Sequence, residues 1–160
     1  TPAVDCAHLA SRWRSNGTSH ARESGFEAKK AMAFTVCATP ADLEARLREK
    51  IAAFYEAGDN RDVAAMDGIL DENFRLVAFF GDAASATQMD KTGYTTALSA
   101  GKIGGIPREK KILSLEVRGN HAACRIKSAS TKLSFDTFMH WVFSAGDWRL
   151  VNDLTHAVAK

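Results

Sequence analysis

Cysteine, proline, tyrosine and unbalanced charge are all scarce in this chain, and the scarcity of each narrows what the protein can be. Three cysteines in 160 residues, Cys6, Cys37 and Cys124, are an odd number at wide spacing, which argues against a disulfide framework and a zinc knuckle. Free thiols are the expectation. Basic and acidic residues number 21 and 19, a formal charge of +2, too small an excess to mark a surface for a phosphate backbone or an anionic membrane. Neither nucleic acid nor membrane is expected as a partner. No apolar run reaches the roughly 18 to 20 residues that span a bilayer, and the amino-terminal residues lack a basic-then-apolar signal pattern. The expected compartment is the cytoplasm. Asn16-Gly17-Thr18 fits a glycosylation acceptor, which means little without a secretion signal. His8, His20, His121 and His156 share no metal-ligand spacing and Cys37 has no base beside it, so neither metal nor cofactor is expected.

What the chain does have is apolar mass, at 46% of residues, enough for one core and too little length for two ordinary domains. Residues 1–38 are poorly patterned, with no sustained period through Ala31, and read as an extension; Met32, just ahead of the first strong helix signal, is a candidate natural start. The domain proper is expected over residues 39–160. Thr39-Pro40-Ala41-Asp42 places a hydroxyl N-cap, a first-turn proline and an early acid, so a helix opens there. Leu43, Leu47, Ile51, Phe54 and Tyr55 form its apolar stripe, and Gly58 is the expected stop. Asp62 caps a second helix with Val63, Met66, Ile69 and Leu70 inward, and Asp90 a third that carries Tyr94, Ala97 and Leu98 and stops at Gly101.

Between the last two helices, residues 74–80 read as a strand and 86–89 as its short partner. The glycine-rich Gly101-Lys102-Ile103-Gly104-Gly105-Ile106-Pro107 reads as a loop, since a P-loop needs glycine where Thr96 stands and a hydroxyl where Ile103 stands. Arg108, Glu109, Lys110 and Lys111 read as a solvated strand entrance. Two hairpins follow, turning at Gly119-Asn120 and at Ser144 to Asp147. Helices on one face of a mostly antiparallel sheet make an α+β domain.

This order, with Phe54-Tyr55 late in the first helix, Asp62 opening the second and Gly146-Asp147-Trp148-Arg149-Leu150-Val151-Asn152 near the end, resembles the nuclear transport factor 2-like (NTF2-like) superfamily, which includes ketosteroid isomerase and SnoaL-type cyclases. Phe135-Asp136-Thr137-Phe138 ahead of that closing run is most similar to its lumazine-binding branch. The resemblance implies a cone, three helices on a curved sheet with an apolar pocket between. Residues placed as pocket lining are Phe54, Tyr55, Phe74, Leu76, Phe79, Met89, Tyr94 and Phe138, several of which serve equally as plain core.

On the strand over residues 133–143, Asp136, Phe138, His140 and Val142 share one face, and Phe135, Thr137, Met139, Trp141 and Phe143 the other. Both faces are largely apolar and helices cover only one, so a homodimer through the sheet is expected. If the face with Asp136 and His140 is the pocket face, the two form an acid–base pair suited to dehydration, isomerisation or cyclisation, and Asn152, counted in register with Trp148 and Leu150, donates toward an oxyanion. A one-residue error in the strand reverses that assignment. The residues of ketosteroid isomerase do not carry over: its tyrosine falls near Phe54, its base near Ala78 and its second acid near Met139. Three readings follow: a cofactor-independent lyase or isomerase, a binder of a small apolar ring-containing molecule, and a protein-interaction adaptor.

Overall fold

The computed structural model describes residues 39–160. The readings placed on residues 1–38, including the extension, the start at Met32 and the thiols of Cys6 and Cys37, lie outside the described residues. The Thr39 hydroxyl accepts from the Asp42 amide at 3.2 Å while the Asp42 carboxylate accepts from the Thr39 amide at 3.0 Å, and with Pro40 following, this reciprocal cap opens α1 (Pro40–Asn60). The helix runs past the expected stop. Gly58 lies buried inside it, and Arg61, at φ 55°, takes the left-handed position that ends it.

α2 (Val63–Ile69) and α3 (Lys91–Ser99) start on Asp62 and Asp90, whose carboxylates accept from the Ala65 and Gly93 amides at 2.9 and 2.8 Å. The strands are β1 (Leu70–Phe80), β2 (Thr87–Asp90), β3 (Glu109–Arg118), β4 (His121–Ala129), β5 (Leu133–Ser144) and β6 (Asp147–Ala159). They form one sheet in the order β2-β1-β6-β5-β4-β3, with β2 and β3 outermost among the described strands. All neighbours are antiparallel except β1 and β6, so the last strand lies between the first strand and the meander.

α1 determines which face is inside. Its Phe54 meets Trp141 of β5 edge-on at 6.5 Å, and its Leu43 carbonyl accepts from the Trp148 indole at 3.0 Å. Phe54, Trp141 and Trp148 are at most 2% exposed, and each removes on the order of 150–250 Å² from water, so they dominate the core. Trp141 Nε1 is buried without an oxygen or nitrogen partner among the described residues; beside it stands the Cys124 sulfur, a weak acceptor. Among the described residues no helix is long and apolar enough to cross a membrane.

Candidate functional site

The inner face of β5 carries Phe135, Thr137, Met139 and Trp141. Its outer face carries Asp136, Phe138 and His140. The acid–base pair read from the sequence therefore points away from the helices. Asp136 accepts two bonds from Arg125, at 2.9 and 2.6 Å, and that pairing holds its carboxyl below the usual carboxylate range. It is an ion-paired surface group. His140 is exposed, and Asn152 donates to the Arg75 carbonyl at 3.3 Å, tying β6 to β1 instead of aiming at a pocket.

For Asn152 the reason is a β-bulge in β6; Asp136 and His140 face outward because the alternation of β5 puts Thr137, Met139 and Trp141 inside. His140 pairs with Asn152 but Trp141 pairs with Leu150, leaving Val151 without a partner. An extra residue reverses the alternation. Trp148 and Leu150 point inward before it; Asp153, Thr155 and Ala157 point inward after it. Counting by twos from Trp148 selects Asn152, whereas the structure selects Asp153. The signal was present in Asp153-Leu154-Thr155-His156-Ala157, where short or polar residues alternate with others opposite Met139, Thr137 and Phe135.

Asp153 sits at the floor of a cavity of about 300 Å³ between α1, α3, the loop after α3 and the inner face of the sheet. Phe54, Tyr55, Leu76 and Tyr94 line it as expected. Phe74 does not, being wholly buried edge-on against Tyr94 at 5.6 Å. Phe79 and Phe138 lie on the outer face, and Met89 on edge strand β2 pairs with Leu76 without lining the cavity. A broader depression of about 450 Å³ along the strand ends near Lys127 and Asp136 is more open; the enclosed cavity is where converging polar groups meet apolar walls.

One oxygen of Asp153 accepts from the Thr155 hydroxyl at 2.6 Å, and Thr155 lies 2.8 Å from the Thr137 hydroxyl. While Asp153 is ionised, Thr155 spends its only proton on the carboxylate, so Thr137 donates to Thr155. The other carboxylate oxygen has no bond among the described residues and is not sealed off, so it faces the cavity. Burial is the main cause that pushes the Asp153 carboxyl up to about 6.

Burial acts the same way on the phenols. It raises Tyr55 to about 12, with Ser128 beside its hydroxyl, and raises Tyr94 further. Both remain neutral donors at physiological pH. Arg108, read as solvated, instead lines the cavity; its guanidinium bonds Asp59 at 2.6 Å and lies 4.7 Å from the centre of the Tyr55 ring. Among the described residues no three histidine, cysteine, aspartate or glutamate side chains cluster as a metal site would need.

Fold and cavity together define the class: an NTF2-like α+β domain with one acid at the floor of a helix-side pocket. Solved NTF2-like proteins of unknown function share the architecture. That from Shewanella baltica is 16% identical with a TM-score of 0.65, covering 74% of this chain and 96% of its own. Those from Silicibacter pomeroyi and Methylobacillus flagellatus are 17% and 18% identical, with TM-scores of 0.66 and 0.60, covering 74% and 76% of this chain and 98% and 96% of theirs. At such identities the likeness shows the fold alone. Within this class the chain belongs to the family described as Putative lumazine-binding, whose sequence model spans residues 42–156. No curated protein matches.

Proposed function

We propose that the domain holds a small ring-containing molecule in the helix-side cavity and that Asp153 exchanges a proton with it. The open oxygen of a carboxyl poised near 6 carries this reading, because such a group can take or give a proton near neutral pH. For an isomerisation or elimination beside a carbonyl, the carboxylate removes the proton, the electron pair moves onto the carbonyl oxygen, and a neutral Tyr55 or Tyr94 hydroxyl stabilises that oxygen. The proton then returns from Asp153 to the product or to the leaving group. No cofactor enters these steps. An adaptor has no need of such a cavity, whereas a pure binder uses the same groups without transfer.

Ala78 is 4% exposed and lines the cavity, so Ala78→Phe fills it from a rigid strand. Bicyclic aromatic molecules are expected to raise the Tm of the wild type, and the variant is expected to stay folded and to lose that upshift. An unchanged upshift would place binding elsewhere.

We further propose a homodimer through the outer face of the sheet. Val77, Leu154 and Phe138 lie in a row across three strands, with Arg125 beside Phe138. Leu154 and Phe138 are 42% and 46% exposed. The Arg125–Asp136 pair flanks that row, so two copies related by a twofold axis can bring Arg125 of each to Asp136 of the other. Light scattering is expected to give twice the 17.4 kDa chain mass, and Phe138→Asp to give the single mass. A wild-type monomer at micromolar concentration rules the dimer out. The cytoplasm is the compartment we propose with it; Cys124, buried and unpaired, suits a reducing one.

A further inference from the structure

The charges around the cavity are one-sided. Among the described residues that line it only Asp153 is acidic, while Lys102, Arg108 and Lys132 are basic. Arg108 is already matched by Asp59. Lys102 and Lys132 are exposed, so they mark the mouth, and neither has an acid within 4.0 Å among the described residues. Lys110, equally without such a partner, holds its ammonium 5.5 Å from the centre of the Tyr55 ring.

Both mouth lysines stand on anchored backbone. The Arg61 guanidinium donates to the carbonyls of Gly101, Ile103 and Gly104 at 3.2, 3.3 and 3.2 Å, so it brackets Lys102 on both sides. The Lys132 amide donates to Ser130 Oγ at 3.2 Å, and its carbonyl accepts from the Lys160 amide at 3.1 Å. Their side chains therefore start from fixed points beside the opening. Deeper in, Phe54, Phe135 and Met139 supply apolar wall, and about 300 Å³ lies at the small end of ligand pockets, suited to one or two fused rings.

We propose, on the footing of the cavity reading above, that the natural ligand is a one- or two-ring organic anion that enters ring first and leaves its negative group at the mouth with Lys102 and Lys132. The orientation follows from the two ends of the pocket. A ligand anion at the floor would meet the Asp153 carboxylate, whereas at the mouth it meets two cations that no described acid pairs. The deep edge of the ring then presents a proton donor or an acidic C–H to Asp153 and an acceptor to the phenols.

The test uses the full 160-residue chain and two probes of nearly equal shape, 2-naphthoate and the neutral 2-naphthamide, titrated calorimetrically at low and high salt. Naphthoate is expected to bind about tenfold more tightly than the amide at low salt, since two exposed pairs of modest strength combine to roughly that factor. The preference is expected to shrink to about twofold in the Lys102→Gln/Lys132→Gln double variant and in concentrated salt, where exposed charges are screened. Equal binding of the two probes by the wild type, or a preference that survives the double variant, overturns the anion proposal while leaving the cavity reading intact. If neither probe binds the wild type, or if Ala78→Phe binds naphthoate undiminished, both fall.

Discussion

Replacing Asp153 by Asn is expected to make the protein more stable at pH 8 by about 3 kcal/mol and to leave its stability at pH 3.5 nearly unchanged. In the unfolded chain the carboxyl titrates near 3.8, in the folded chain near 6. Below both values it is protonated in both states and costs little. As the pH rises from about 4 to about 6 the unfolded chain releases its proton while the folded chain retains it, so the wild type loses stability through this window. Above it both states are ionised and the loss levels off. Values about two pH units apart convert to about 3 kcal/mol, on the order of 10 °C in Tm for a domain of this size.

Asn keeps the shape and can still accept from Thr155, so the difference isolates the charge. Urea unfolding of both proteins from pH 3.5 to 8 measures it, and parallel curves would show that Asp153 is not a strained acid. The same substitution is expected to abolish any proton transfer in the cavity while leaving naphthoate bound. Gain of stability with loss of chemistry marks a group retained for function.

Gly104→Ala is expected to destabilise the domain by about 2–4 kcal/mol and to weaken binding in the cavity together with it. Gly104 has φ +69°, and a Cβ there would overlap the Gly58 carbonyl oxygen and stand 2.7 Å from Leu98 Cδ1. The carbonyl belongs to the buried last turns of α1 and already accepts from the Gly105 amide at 3.0 Å, so it cannot retreat cheaply. Left-handed strain and backbone overlap therefore add. Gly146→Ala separates the two terms: φ is +84° there but nothing lies within 4 Å, and a cost of only about 1 kcal/mol is expected. Equal costs by urea denaturation would show that the loop is not pressed against α1. Gly104 also lines the cavity, so displacing the loop should loosen Lys102 and the mouth with it.

The helix starts were legible because their causes are local: Thr39, Asp62 and Asp90 each accept from an amide three residues onward. So was the inward stripe of α1, since Leu43, Leu47, Ile51 and Phe54 recur at helical spacing whatever they pack against. The end of α1 was misread, because Gly58 signals a stop in sequence, yet the Arg61 side chain, holding loop carbonyls some forty residues away, stabilises the left-handed turn at Arg61 instead. The parallel pairing of β1 with β6 was also out of reach, since it joins segments from opposite ends of the domain.

The site divides the same way. Tyr55 and Tyr94 line the cavity because helix periodicity points them inward, whereas the acid was read at Asp136 on the outer face of β5 and only the donor read at Asn152 stands next to Asp153. Met139, near which the resemblance would have set an acid, has Asp153 as its partner across the ladder on β6. By itself the sequence determined an α+β domain with capped helices, paired hairpins, an apolar core and no electrostatic excess, because capping, turn chemistry and periodicity act over a few residues. Only the tertiary structure decided which acid enters the pocket and which lysines stand at its mouth. One unpaired residue, Val151, reverses the alternation of the last strand, and Lys102 is brought there by a loop that Arg61 holds in place.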